Sequence, residues 1–448
     1  MKVIVRTIFS QRNKSIFLFL LSLWFLFLGF YRNQWQAARP KKFELFQYDV
    51  ESYIVARMVI SRQSGLFSYG GLLGWGDVDI DNVKEDDDYV HQFDTYLNGK
   101  TFEIYSAKLS NPGFQGLFFS VLDLASPLSP ADNLKFFRVL TSGSFAVILS
   151  GVILWFYIEF GLLAALSVLI STLASQWMTL FGPRLFFFSC FFYIPMLVLL
   201  YFFQWETEEK FFTGKKIFLV IFFLVLVKCL FNGYDFIIPV LGMVASPIIF
   251  YAVLRKWGGR KFFQRFSVAV LASVFAILAS LLILAIQNTF ATGDMQTGIG
   301  FIVQTIFRRT YDFSLSSQGS SIVDTVSIWE ILKIYLGESY LWKFPLPYSK
   351  FILFFAVISS IYLFLKSFQC KKQFYSTKGF ALIATTWFSL LSPLAWYIVF
   401  KTLAYYHSHM NYLPWHMPFM LFGFGMCGFI IQDLFGIMWG DLHTISKK

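Results

Sequence analysis

Two adjacent arginines, Arg308 and Arg309, end an amphipathic segment of this chain. A guanidinium group binds phosphate oxygens in pairs, so the doublet predicts a phosphate or pyrophosphate site. Contact with anionic lipid headgroups is the alternative. Lys401, His407 and His409 form a second group, whose ammonium and imidazolium groups can donate hydrogen bonds to a phosphate. A metal site and ordinary interfacial side chains remain open for the histidines.

Carboxylates appear soon after the first apolar stretch, in Tyr48-Asp49-Val50-Glu51. Apolar residues at helical spacing follow them and predict a helix that lies at a membrane surface. Asp49 would stand near the N-terminus of this helix, where a carboxylate is a good cap. Asp49 is the first candidate for chemistry in this stretch, and Glu51 is the second.

Lys228 and Asp235 lie at the end of another apolar stretch. Ionisable residues at membrane depth are costly and are usually paired or functional. Seven residues separate the two, so they share a face if the helix continues through both. A structural ion pair or a snorkelling lysine is the alternative to a role in a site. Arg184, at a predicted outer turn, is a further candidate for phosphate binding.

The elements that must position these residues are membrane helices. The chain has 448 residues, of which 57% are hydrophobic and only 14% charged, which is too apolar for one soluble core. We predict an all-α polytopic membrane protein with a single membrane domain over 1–448. About ten stretches could each cross a bilayer, near 15–31, 136–158, 161–180, 185–203, 217–232, 236–254, 266–286, 351–365, 380–399 and 416–434.

Basic residues are about three times as dense in every second connection between these stretches. The positive-inside rule then puts both termini in the cytoplasm and the candidate residues on the opposite side. The connections 32–135 and 287–350 become long extracytoplasmic loops, the first with interfacial helices. No basic stripe on a soluble region suggests nucleic-acid binding. The four cysteines lack the spacing of a disulfide framework or a zinc site.

This arrangement resembles the GT-C superfamily of integral membrane glycosyltransferases, which take sugars from polyprenyl-phosphate donors. The shared features are a cytoplasmic N-terminus, about ten helices, a large first outer loop with interfacial helices and an acidic residue after the first helix. In that family the acidic residue is the catalytic base or a metal ligand, and Tyr48-Asp49-Val50-Glu51 matches it here. The adjacent Asp-Asp or Glu-Asp pair of some branches is absent, so the resemblance leaves a divalent cation, Mg or Mn, open.

The resemblance implies transfer of a sugar from a polyprenyl-phosphate-linked donor to a cell-surface glycan, lipid or protein. Asp49 would act as general base, and Arg308, Arg309, His407 and Lys401 would bind the phosphate. The expected place is the extracytoplasmic face of a bacterial cytoplasmic (inner) membrane. A polysaccharide or lipid-linked glycan transporter or flippase is an alternative, although few charges lie at mid-membrane. An O-antigen-type polymerase or ligase is another.

Overall fold

A computed structural model describes residues 2–48, 50–78, 85–206, 212–310, 327–343, 346–369, 378–408 and 412–445. The candidates Asp49 and His409 lie outside these residues. The structure is 79% helical with very little sheet, as predicted for an all-α membrane protein. In chain order the helices are α1 (Lys2–Arg32), α2 (Pro40–Tyr48), α3 (Glu51–Ser64), α4 (Glu85–Leu97), α5 (Phe114–Ala125), α6 (Pro130–Phe160), α7 (Leu162–Ala174), α8 (Gln176–Phe181), α9 (Cys190–Gln204), α10 (Gly214–Asn232), α11 (Ile237–Leu254), α12 (Gly259–Thr292), α13 (Met295–Thr310), α14 (Ile328–Gly337), α15 (Tyr348–Gln369), α16 (Lys378–Ser389), α17 (Leu391–Val399), α18 (Lys401–Tyr406) and α19 (Phe419–Ile445).

Six helical segments in the described part of the chain are long and apolar enough to cross a membrane. They confirm a multi-pass membrane protein, and they are Arg12–Arg32, Pro130–Phe160, Ile237–Leu254, Gly259–Thr292, Tyr348–Phe368 and Lys378–Val399. The prediction of ten spans stays a prediction. One predicted span, 161–180, is interrupted where Ser175 caps α8 by accepting a hydrogen bond from the backbone N–H of Met178.

The membrane helices pack closely around a shared apolar core. α1 packs along α6, α10 along α12, and α19 along α7. Gly428 permits the last of these contacts, because a Cβ at this position would collide with the backbone carbonyl of Leu163. Small residues commonly allow such close approach between membrane helices, where dispersion contacts replace the hydrophobic effect.

The first predicted outer loop is a folded layer between α1 and α6. A helix occurs at the position predicted after Tyr48-Asp49-Val50-Glu51, as α3, and α5 is a second helix in this layer. Two short strands, β1 (Gly74–Gly76) and β2 (Tyr105–Ala107), pair antiparallel. The glycine-rich stretch 65–76 contains a 3-10 turn at Ser68–Gly71. Fully buried Arg57 holds this stretch by donating to the carbonyl oxygens of Gly65, Leu66, Ser68 and Leu72 at 3.1, 2.6, 2.7 and 3.3 Å.

A buried carboxylate, Asp123 of α5, ties this layer together. It accepts two hydrogen bonds of 2.7 Å from Arg62 of α3, one of 2.5 Å from the Tyr96 hydroxyl of α4, and one of 2.9 Å from Asn133 of α6. Burial and the contact with Asp123 raise the pKa of Tyr96 well above its ordinary value, so this hydroxyl stays a donor. One side chain therefore joins four helices.

Candidate functional site

A polar cavity of about 900 Å³ lies between the end of β2, α13 and α18. Its volume is in the range of small-molecule sites. Four basic side chains line it: Lys108, Arg308, Arg309 and His407. The other polar lining residues are Tyr53, Ser106, Ser110, Gln304, Thr305, Thr402 and Tyr406. Basic side chains from three distant parts of the sequence thus meet at one place, which suits an anionic ligand.

The arginine doublet reaches the cavity because α13 folds back along α12. The turn between these helices uses Gly293, which has a left-handed φ of 75° and donates to the carbonyl of Thr289 at 2.9 Å. Asn288 of α12 then donates to the carbonyls of Gly298 in α13 and Leu109 after β2, at 3.2 and 3.1 Å. A single amide therefore fixes both walls of the cavity relative to α12.

Arg309 and Arg308 have different surroundings. The Arg309 guanidinium donates to the Asp235 carboxylate at 3.0 Å, and the two side chains are only 15% and 14% exposed. Arg308 is exposed, and among the described residues it has no hydrogen bond or ion pair. The pair with Asp235 holds Arg309 in one orientation, while Arg308 keeps its donors for a ligand or solvent. Both arginines line the polar cavity, as the phosphate-site prediction requires.

Lys228 supports the Arg309–Asp235 ion pair through backbone contacts and not through the Asp235 carboxylate. α10 ends at Asn232, so the condition for a shared helical face with Asp235 is not met. The buried ammonium group instead donates to the backbone carbonyls of Gly233 and Asp235, at 2.8 and 2.6 Å. It therefore closes the turn that presents Asp235 to Arg309. Lys228 is not one of the residues that line the polar cavity.

Replacing Lys228 by methionine is expected to lower the free energy of unfolding by about 1–3 kcal/mol, because a buried and a partly buried carbonyl lose their donor. The measurement is thermal unfolding of purified protein in detergent. Lys216→Met is the matched control, since Lys216 is exposed in the first turn of the same helix. Equal melting temperatures for the two variants would contradict the structural role of Lys228.

Of the second predicted group of phosphate-binding residues, the structure describes Lys401 and His407. His407 follows α18, its backbone N–H donates to the carbonyl of Leu403 at 3.1 Å, and its side chain lines the polar cavity. Lys401 begins α18 and is half-buried, but it is not among the lining residues. The structure therefore brings His407, and not Lys401, to the arginines.

Lys108 was not predicted from the sequence. It follows β2, where its backbone N–H donates to the carbonyl of Leu73 at 2.6 Å. Its ammonium group lies 4.0 Å from the centre of the Tyr53 ring and 5.0 Å from that of Phe186. A lone lysine in a polar stretch gives no signal by type or spacing. Only the pairing of β2 with β1 brings it to the polar cavity.

Glu51 and Arg184 occupy a buried region apart from the lining of the polar cavity. Glu51 is fully buried, receives a 2.9 Å hydrogen bond from Arg138, and accepts one of 3.3 Å from the N–H of Leu185. Arg184 is also fully buried and donates to the carbonyl of Phe46 at 3.0 Å, with its guanidinium 3.7 Å from the centre of that ring. These contacts give both residues structural roles.

An apolar slot of about 180 Å³ adjoins the polar cavity. Side chains of α12 and α13 form most of it, and Ser110, Thr305 and Arg309 line both spaces. Arg309 therefore stands at the boundary between a polar and an apolar volume. The apolar walls of the slot are Tyr234, Ile277, Leu281, Leu284, Ile302, Ile306 and Phe400.

Within the described ranges, which omit Asp49 and His409, no group of three or more His, Cys, Asp or Glu side chains could hold a metal ion. Comparison with known proteins found no match to a family model, to a curated protein or to a solved structure.

Proposed function

We propose that this chain is a glycosyltransferase that moves a sugar from a polyprenyl-phosphate-linked donor to a cell-surface glycan, lipid or protein. The observation that carries the proposal is the junction of the polar cavity with the apolar slot at Arg309. Such a junction suits an amphiphile with an anionic group between its polar and apolar parts. A polyprenyl-phosphate sugar has this construction.

In the proposed complex the donor phosphate lies beside Arg309, with Arg308, Lys108 and His407 around it. Charge-assisted hydrogen bonds from these groups would oppose the negative charge that develops on the leaving phosphate. The first isoprene units would enter the apolar slot. The sugar would occupy the polar cavity, where Gln304 and hydroxyl groups can bind it.

The reaction is a displacement at the anomeric carbon of the sugar. An acceptor hydroxyl oxygen forms the new bond to this carbon, and the polyprenyl phosphate leaves with the electrons of the bond that breaks. Asp49 is the proposed base that takes the hydroxyl proton. Tyr53, four residues further along the chain, lines the polar cavity, which supports this choice.

The proposed location is the extracytoplasmic side of a bacterial cytoplasmic membrane. The support is the density of basic residues in alternate connections, which assigns the connections containing Lys108, Arg308 and His407 to the side away from the cytoplasm. Polyprenyl-phosphate sugars would be presented to acceptors on that side. Assays with and without Mg²⁺ or Mn²⁺ decide whether the reaction uses a divalent cation.

Arg309→Gln is expected to reduce kcat/KM for sugar transfer by about 10–100-fold, because it removes a charged donor from the leaving phosphate. The assay is transfer from a panel of radiolabelled polyprenyl-phosphate sugars by purified protein in proteoliposomes. Asp235→Asn should cause a smaller loss, since it leaves the guanidinium but removes its carboxylate partner. Lys350→Gln is the control, at an exposed lysine away from the cavity lining.

Two results would overturn the proposal. Equal activities of wild type and Arg309→Gln would show that the polar cavity takes no part in the reaction. Movement of labelled lipid across the bilayer, with no transfer from any donor, would favour a transporter.

A further inference from the structure

A third cavity, of about 410 Å³, lies at the opposite end of α12 from the apolar slot. We call it the inner cavity, after the cytoplasmic side to which the basic-residue pattern assigns it. Ala252 and Val253 of α11 line it, with Gly259 and Phe262 of α12 and with Lys256 and Trp257 from the turn between these helices. Both helices are long and apolar enough to cross the membrane, so the inner cavity lies where a span ends.

Five basic residues lie in and beside this turn, and two of them have a carboxylate partner. Glu206 binds Arg255 at 3.1 Å and Arg265 at 2.8 and 2.5 Å. Lys256 and Arg260 are exposed, and in the described part of the chain neither has an ion pair or a side-chain hydrogen bond. The inner cavity therefore has a mainly apolar lining that includes one cation, Lys256, and a second cation, Arg260, follows the lining residue Gly259 in the chain. No described carboxylate neutralises either of them.

Trp257 gives the inner cavity the character of a membrane interface. Its ring is half-buried and lies 4.2 Å from the guanidinium carbon of Arg265 and 5.4 Å from the ammonium of Lys261. Tryptophan is enriched at the level of lipid headgroups, where its ring is partly apolar and partly polar. The phosphates of the bilayer are thus expected at the height of Lys256 and Arg260.

We propose that the inner cavity binds an anionic phospholipid of the surrounding leaflet, with its phosphate between Lys256 and Arg260. An acyl chain then lies on Ala252, Val253 and Phe262. The apolar lining favours a lipid over a free phosphate ion, which gains nothing from these side chains. The two unneutralised cations favour an anionic headgroup over a zwitterionic one, because basic clusters beside membrane helices attract anionic lipids. This lipid is structural or regulatory, and it is separate from the donor in the polar cavity.

The test is native mass spectrometry of the full-length protein with phosphatidylglycerol or phosphatidylcholine at equal concentration. We expect wild type to retain phosphatidylglycerol in preference to phosphatidylcholine. Removing each cation should weaken retention about fivefold, so Lys256→Ala/Arg260→Ala should lose most of it. Lys215→Ala is the matched control, at an exposed lysine in the first turn of α10 that is assigned to the same side.

Gly259→Trp tests the apolar part of the inner cavity separately. A Cβ at Gly259 meets no atom within 4 Å, so the larger side chain can fill the cavity without a backbone clash. It should also reduce retention of phosphatidylglycerol, while glycerol phosphate should not compete. Equal retention of the two lipids by wild type, or unchanged retention in both cavity variants with wild-type melting temperatures, would overturn the proposal.

Discussion

Replacing Asp49 by asparagine is expected to reduce sugar transfer by about 10²–10⁴-fold, the contribution typical of general acid–base catalysis. The substitution keeps the size of the side chain and removes its ability to take a proton from the acceptor hydroxyl. The melting temperature and the affinity for the lipid donor should change little. The measurement is single-turnover transfer in proteoliposomes, which separates chemistry from donor binding.

Glu51→Gln provides the matched comparison, two residues further along the chain. The Glu51 carboxylate already holds Arg138 and the N–H of Leu185 in a buried position. Its loss leaves the Arg138 charge without a partner, which typically costs about 3–5 kcal/mol. We therefore expect Glu51→Gln to lower stability and to lose activity only as the folded fraction falls. Full transfer by Asp49→Asn, or lost transfer with unchanged melting in Glu51→Gln, would reverse the two roles.

Asp123→Asn is expected to lower the free energy of unfolding of the layer between α1 and α6 by about 3–5 kcal/mol. The carboxylate accepts four hydrogen bonds, and an amide cannot accept all of them or balance the charge of Arg62. The measurement is thermal unfolding combined with limited proteolysis of this layer. We expect an earlier transition and faster cleavage.

Asp94→Asn is the control for this prediction. Asp94 pairs with Lys100 at 2.8 Å, but both side chains are well exposed. Solvent screening makes such surface pairs weak, so the control should behave as wild type. Equal melting temperatures and cleavage rates for the two aspartate variants would contradict the role of Asp123 in joining α3, α4, α5 and α6.

The helical class and the position of α3 could be predicted because hydrophobic period and length are local properties. The sequence also pointed to Arg308, Arg309 and His407, but their convergence depends on Asn288, which fixes α13 against α12 through contacts distant in sequence. Lys108 could not be identified from the sequence, because only the pairing of β2 with β1 places it at the polar cavity.

Two further features show where local patterns fail. The spacing of Lys228 and Asp235 predicts a shared face only if one helix contains both, but the chain turns at Gly233, where φ is 58°. Lys228 then binds the backbone carbonyls of Gly233 and Asp235, whose positions in this turn could not be predicted from the sequence. The glycine-rich stretch is ordered by Arg57, which lies on a different element and resembles any other helix arginine in the sequence.

The walls of the polar cavity have a consequence for biogenesis. They come from Lys108 after β2, from the C-terminal turn of α13 and from α18 with His407, so α18 and His407 supply the last of these walls to be synthesised. Until residue 407 has left the ribosome and α18 has docked, the nascent chain carries its arginines without a complete cavity. A ligand that needs all three walls can then be bound only after α18 has packed against α13.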